Sequence, residues 1–332
     1  MVIDPSFWRG KSILLTGHTG FKGGWLAVWL GQMNASVHGY ALDPPTDPSF
    51  FHAADVSNTL TSDTRADLSE LETLEAAARE AQPQVVFHLA AQPLVRASYR
   101  DPLATLRDNV MGTAHVMRAV QSCESVRAVV VITTDKVYEN REWLYPYREN
   151  DRLGGHDPYS ASKAAAEIVT ASFRSSFFGD SGHRAKVATA RAGNVIGGGD
   201  WAVDRLVPDC LSALSRGEPV LLRNPRAVRP WQHVLEPLSG YLLLAQRLCS
   251  DRSEDESELP SSDAWNFGPD PASNLTVQSI GQTLARQWGY DAEVRFAPEA
   301  DAPHEAGQLR LDSSLARTHL GAVCYTSSSR LE

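Results

Sequence analysis

At 332 residues, with 42% hydrophobic and 21% charged side chains, the chain has an ordinary globular composition and the length for a large core in one or two domains. A formal net charge of −9 speaks against nucleic acid or anionic membrane as a partner, so any anionic ligand must be met by a local arginine cluster. No apolar run approaches the roughly 20 residues that cross a bilayer, no signal peptide opens the chain, and the four cysteines lack metal-ligand spacing, which leaves a reducing cytoplasm and no metal as the expectation.

The first informative stretch is Ile13-Leu14-Leu15-Thr16-Gly17-His18-Thr19-Gly20-Phe21-Lys22-Gly23-Gly24. A short apolar strand runs into Gly17, Gly20 and Gly23, and Phe21, Trp25, Val28 and Trp29 then recur at helical spacing. Strand, glycine turn and helix in that order let a dinucleotide pyrophosphate sit on a helix N-terminus. The next strand-like run, Val37 to Ala41, leads to Asp43, near where an acid binds the ribose of NAD. Lys22 in the loop leaves NADP open, but no arginine follows Asp43, which favours NAD. Asp63, in Ser62-Asp63-Thr64-Arg65, is a candidate for the adenine amino group or an ordinary loop acid.

Strands are expected near 12–16, 36–41, 84–89, 128–133 and 186–191, and helices near 21–32, 68–81, 102–122 and 159–177. Val85-Val86-Phe87-His88-Leu89 and Val129-Val130-Val131-Ile132 are continuous apolar runs, as in a parallel sheet covered on both faces. The fold class is therefore α/β, a doubly wound parallel sheet of Rossmann type, with a smaller C-terminal substrate-binding region. The sheet domain is expected over 1–192 with return segments near 236–268, and the smaller region over 193–235 and 269–330. Ser250 to Asp263 is acidic and serine-rich and reads as an exposed loop.

Ligands bind where strands of an open α/β sheet end. One such end carries His88-Leu89-Ala90-Ala91-Gln92, whose small residues admit a cofactor and whose histidine reads as core. Another carries Thr133-Thr134-Asp135-Lys136, two ionisable groups of opposite sign side by side. Last comes Asp157-Pro158-Tyr159-Ser160-Ala161-Ser162-Lys163: a helix N-cap, a proline suited to the first turn, and Tyr159 and Lys163 four residues apart on one face. An ammonium beside the phenol is expected to lower the tyrosine's pKa and make it a proton acceptor.

These motifs together resemble the extended short-chain dehydrogenase/reductases. Within them, Gly17 to Gly23, Thr134-Asp135-Lys136, Arg191 to Trp201, Arg223-Asn224-Pro225 and Arg229 to Val234 are most similar to the nucleotide-sugar 4,6-dehydratases that act on CDP-glucose. Relatives that use dTDP-glucose or GDP-mannose carry an acid where Lys136 stands. The resemblance also implies a C-terminal segment longer than the few residues that follow Cys324 here.

The resemblance implies NAD held by Gly17, Thr19, Gly20, Phe21, Lys22, Gly23, Asp43, Asp63, Thr64, Leu89, Ala90, Ala91, Thr133, Tyr159 and Lys163. Tyr159, helped by Lys163, takes the proton from the carbon 4 hydroxyl. Lys136 removes the carbon 5 proton, Asp135 protonates the departing carbon 6 hydroxyl, and Thr134 bonds the hexose. A close Asp–Lys pair would ordinarily keep both groups charged, against these roles, unless they share a proton through substrate. Substrate binding is implied for Arg229 first, then Arg223 and Arg205 on phosphate, Asn194 on sugar or diphosphate, and Trp231 and His233 at the nucleoside. Gln92, Arg96 and Asn109 follow from matching motifs, and a homodimer is implied through the helices near 102–122 and 159–177. His304 and Glu305 stay unassigned. Two other readings stay open: a nucleotide-sugar 4-epimerase on the same fold, and a non-catalytic NAD-sensing regulator.

Overall fold

The computed structural model describes residues 2–179, 182–250, 263–270, 273–289, 292–296 and 306–321. Its main strands in the first half are β1 (Ser12–Thr16), β2 (Ser36–Ala41), β3 (Ser62–Arg65), β4 (Val85–His88), β5 (Ala128–Ile132) and β6 (Lys186–Ala192). Short strands follow: β7 (Val195–Ile196), β8 (Val220–Leu222), β9 (Val228–Pro230) and β10 (Gln232–His233). The chain then gives β11 (Ala264–Phe267), β12 (Asn274–Thr276) and β13 (Val294–Phe296). One parallel sheet of seven strands has the order β11-β6-β5-β4-β1-β2-β3.

Side chains alternate along these strands, and each apolar run therefore feeds two cores. Ile13 and Leu15, Val85 and Phe87, and Val130 and Ile132 face one cluster. Leu14, Val86, Val129 and Val131 face the other. The helices in chain order are α1 (Pro5–Trp8), α2 (Phe21–Gln32), α3 (Phe50–Ala53), α4 (Leu71–Ala81), α5 (Val95–Arg100), α6 (Pro102–Leu106), α7 (Gly112–Gln121) and α8 (Pro158–Phe177). Beyond them lie α9 (Leu206–Ser215), α10 (Leu235–Cys249), α11 (Val277–Trp288) and α12 (Ser314–Leu320). Leu26 and Leu30 of α2, Leu238 and Leu242 of α10 and Leu320 of α12 fill the first core, while Leu74 of α4 and Val116 and Val120 of α7 fill the second. The doubly wound parallel sheet is present as expected.

Two strands of the sheet lie outside the runs from which strands were expected. β3 is the polar Ser62-Asp63-Thr64-Arg65 at the sheet's edge. β11 follows a long excursion and returns beside β6. The single helix expected over 102–122 is interrupted by a π-turn at Arg107–Met111. The acidic loop expected over 250–263 falls, for 251–262, outside the described residues, as do His304 and Glu305. A second, small cluster of Cys210, Leu214, Val220 and Leu222 joins α9 and β8, with α11 packed on both. It stands across a cleft from the strand ends.

Candidate active site

The cleft opens at the carboxyl ends of β1, β4, β5 and β6 and has a volume of about 1280 Å³. β1 and β4 are adjacent there although β2 follows β1 in the chain, the reversal of strand order at which open α/β sheets bind ligands. Gly17 turns the chain at φ +79°, and a Cβ there would stand 2.6 Å from the Ala90 amide nitrogen. A Cβ on Gly23 would stand 2.1 Å from the Gly17 carbonyl oxygen. Both positions admit only glycine. Gly20 is the N-cap of α2 and supplies no capping side chain, so the helix N-terminus faces the cleft with its amides available to a diphosphate. The donor set fits a dinucleotide. Thr19, Phe21, Lys22, Leu89, Ala90, Ala91 and Thr133 line the same cleft. Lys22 reaches within 3.5 Å of the Tyr241 hydroxyl, and burial, then the charges of Arg205 and Lys163, push its pKa down to about 8.

His88 is the core histidine its surroundings suggested: Thr16 Oγ1 lies 2.7 Å from Nδ1 and Thr113 Oγ1 3.1 Å from Nε2. Burial drives its pKa down to about 3.

The adenosine end departs from expectation. Asp63 and Thr64 are not in the cleft lining, whereas Ala66, Asp67 and Leu68 are. The reason is register: Thr64 lies opposite Tyr40 and Arg65 opposite Ala41, so Asp63 and Thr64 are still inside the sheet ladder. Asp63 is engaged by His18 Nε2 at 2.9 Å and by Arg65 Nε and Nη2 at 2.8 Å each. Asp43 lines the cleft, with Arg65 Nη1 3.6 Å from its Oδ1. An arginine therefore does stand beside Asp43, brought from the neighbouring strand and held by two carboxylates. That pairing keeps it from a 2′-phosphate. Denaturing the protein should release NAD, and Asp43→Asn should tighten NADP binding by about tenfold, as expected for one removed repulsive charge. Unchanged NADP affinity in that variant would mean Asp43 does not face the ribose.

α8 begins as its sequence dictates. Asp157 Oδ1 accepts from the Ser160 amide at 2.9 Å, and Pro158 occupies the first turn. Tyr159 and Lys163 are both buried and line the cleft. Lys163 Nζ donates to the Ile132 carbonyl at 3.0 Å, at the end of β5. Thr134 Oγ1 donates to Asp135 Oδ1 at 2.9 Å and is also bonded to the Tyr159 side chain. Thr134 thus links the phenol to the Asp135 carboxyl by hydrogen bonds.

Burial reverses two electrostatic expectations. The phenol is pushed up to about 12, by burial against the Thr134 bond, rather than lowered by Lys163. Lys163 is itself pushed down to about 8 by burial, opposed by Glu167. Asp135 was expected to stay charged beside Lys136. Instead its burial raises its pKa despite Lys136, the Thr134 bond, Arg229 and Lys22, and its Oδ2 has no hydrogen-bond partner. Burial thus biases Asp135 towards its neutral form.

At the substrate end, Gln92, Arg96, Asn194, Arg205, Arg223, Arg229 and Trp231 line the cleft, as does Lys136. Arg205 donates to Asp200 at 2.8 Å and Arg223 to Asp204 at 3.0 Å, so carboxylates orient both forks. Arg229 is buried on β9 and donates to its neighbour's carbonyl, Val228 O, at 2.9 Å. Trp231 gives its indole N–H to Leu275 O at 3.1 Å. Two expected contacts are absent from the lining. Asn109 is buried in the π-turn, accepts from the Gln92 amide at 2.8 Å and donates to the Gln92 carbonyl at 3.1 Å, so it fixes the Ala90–Gln92 loop from behind. His233 packs edge-on against Trp25 at 6.1 Å and accepts from the Leu235 amide at 3.3 Å. Residues of α9 and β8 that sequence patterning had not marked, among them Ser212, Arg216 and Leu221, complete the far end. Among the described residues no cluster of His, Cys, Asp or Glu could hold a metal, and no helix is long and apolar enough to cross a membrane.

A glycine loop on a parallel sheet, with a Tyr–Lys helix at its strand ends, defines a nucleotide-dependent enzyme of the short-chain dehydrogenase/reductase class. The chain belongs to the NAD dependent epimerase/dehydratase family, which it matches over residues 13–256, and its cofactor is NAD. Among its relatives is CDP-glucose 4,6-dehydratase of Salmonella typhimurium, 48% identical over 96% of this chain and 88% of that protein. GDP-mannose 4,6-dehydratase of Sinorhizobium fredii is 24% identical over 94% and 91% of the two chains. Similar solved structures include MoeE5 in complex with UDP-glucuronic acid and NAD, with a TM-score of 0.78 and 25% identity, covering 95% of this chain and 94% of that one. TunA, an NAD-dependent NDP-hexosamine 5,6-dehydratase, aligns with a TM-score of 0.75 and 26% identity over 93% and 90%.

Proposed function

We propose that this protein is a hydro-lyase that converts CDP-D-glucose to CDP-4-keto-6-deoxy-D-glucose. The observation that carries the reading is the buried Asp135 carboxyl, linked through Thr134 to Tyr159, with Lys136 beside it in the cleft. A 4-epimerase on this fold needs the tyrosine and lysine but no acid at that strand end. The name of the Salmonella relative supports CDP-glucose as the substrate.

When bound, NAD accepts hydride from carbon 4 and returns it to carbon 6. The chain's own residues move the protons. Tyr159, ionised once substrate and cofactor are in place, would take the proton of the carbon 4 hydroxyl, and Lys163 would hold the cofactor beside it. The resulting ketone acidifies carbon 5, whose proton passes to Lys136 as the free amine and is replaced at carbon 5 as hydride reaches carbon 6. Asp135, its pKa raised by burial, gives its proton to the carbon 6 hydroxyl, which leaves as water. Thr134 bonds the hexose and relays between the two acids. Arg229, Arg223 and Arg205 bind the diphosphate, with Asn194 and Gln92 on the sugar side.

Residues 1–192 with 236–268 form the NAD domain in this reading, and 193–235 with 269–330 the nucleotide-sugar region. Leu103, Met111 and Ile168 are 77%, 50% and 60% exposed on α6, the π-turn and α8, which supports a homodimer through these helices. The product suits deoxysugar supply, such as that for lipopolysaccharide O-antigen, in the cytoplasm.

Hydride should move within one sugar. CDP-glucose deuterated at carbon 4 is expected to yield product deuterated at carbon 6, without stoichiometric release of reduced cofactor. Label recovered at carbon 4 would establish the epimerase instead.

A further inference from the structure

Glu167 is a buried carboxylate that no step above uses, and it bonds to the parts that carry the steps. Its Oε1 accepts from Thr133 Oγ1 at 2.5 Å and Arg191 Nε at 2.9 Å. Its Oε2 accepts from Thr189 Oγ1 at 2.6 Å and Arg191 Nη2 at 2.9 Å. Arg191 continues the network, donating to the Tyr138 hydroxyl and the Glu149 carbonyl, both at 2.9 Å. Thr133 stands between Ile132, whose carbonyl takes the Lys163 ammonium, and Thr134, which links Tyr159 to Asp135. Glu167 also follows Lys163 by four residues on α8, which places the two on one face of the helix.

We propose that Glu167 is a positioning residue for Lys163: its carboxylate, one turn behind the ammonium, keeps the lysine protonated in the cleft, and its bond to Thr133 fixes the strand end that Lys163 and Tyr159 address. The inference rests on the reading of Lys163 as the residue that holds the cofactor ribose. The other groups facing this lysine cannot do the same. His88 on β4 has its pKa lowered to about 3, Lys22 on α2 is a like charge, the Tyr159 phenol is pushed up to about 12, and burial raises the Asp135 carboxyl and weakens its negative charge. Burial works against the lysine's charge, and Glu167 is the group that opposes it.

The test is NAD affinity, read by quenching of tryptophan fluorescence, from neutral to alkaline pH. Binding by the native protein should weaken through a midpoint set by Lys163, whose pKa lies at about 8 before the cofactor arrives. Glu167→Gln keeps the shape and removes the charge. Its midpoint should fall by about one pH unit, so that affinity above the midpoint drops by about tenfold. Thr189→Ala removes a bond from the same carboxylate and keeps the charge, and should lower the melting temperature while leaving the midpoint in place. If Arg191, left buried beside a neutral partner, prevents Glu167→Gln from folding, the pair Glu167→Gln with Arg191→Met removes both charges and should shift the midpoint in the same direction. An unmoved midpoint in the folded charge-removing variant, or no alkaline loss of affinity in the native protein, overturns the proposal. No sugar nucleotide enters this titration, so a failure of CDP-glucose turnover would count against the function reading and leave this result legible.

Discussion

Tyr159→Phe should lose roughly 10²–10⁴-fold in turnover with substrate affinity little changed, the range for removing a general acid–base group. The ring keeps its buried place against the cleft wall, so the fold is not at issue. What disappears is the hydroxyl that bonds to Thr134, and with it the end of the line to Asp135. A phenol pushed up to about 12 is a poor base as it stands, so the proton must leave the substrate as hydride does. Measuring the pH–rate profile together with kcat and KM for CDP-glucose decides the matter. Turnover close to that of the native protein would remove Tyr159 from the mechanism.

Lys136→Met should separate the two halves of the reaction. In the proposed mechanism oxidation at carbon 4 depends on Tyr159 and Lys163, whereas loss of the carbon 5 proton depends on a base at the β5 exit. In deuterated water, carbon 5 should take up solvent deuterium in the native reaction. The variant should reduce that exchange by roughly 10²–10³-fold, and carbon 4 oxidation in a single turnover by far less. The expectation follows from the division of labour in the pair. Burial raises the pKa of Asp135, which favours it as the acid over the base in this pair. Normal carbon 5 exchange in Lys136→Met would show that another group, or water, takes that proton.

Both predictions depend on residues that short-range sequence patterns identify, because their chemistry is local. Gly17, Gly20 and Gly23 announce a strand, turn and helix, and the apolar runs at 85–89 and 129–132 announce buried strands, since a strand covered on both faces has no polar side to interrupt it. Asp157, Pro158, Tyr159 and Lys163 give a helix start and a shared face from spacing alone. The Thr134-Asp135-Lys136 run at a strand end likewise stands out because a buried strand seldom ends in two opposite charges.

What the sequence could not decide was anything set by register or by burial. β3 is polar, so neither its pairing with β2 nor the shift of the cleft edge to Ala66, Asp67 and Leu68 could be read from hydrophobic pattern. Asn109 and His233 matched motifs, yet a π-turn and an aromatic contact turn them to other work. The arginine beside Asp43 comes from a strand 22 positions later in the chain, at Arg65. Above all, adjacency in sequence implied that Asp135 and Lys136 would hold each other charged unless substrate shared their proton, and made Lys163 look like the group that tunes Tyr159. Adjacency fixes which charges are near one another, and that much the sequence determined. The cost of taking each charge out of water depends on every side chain packed around it, so which of them stays protonated was decided only when the tertiary structure closed over the cleft.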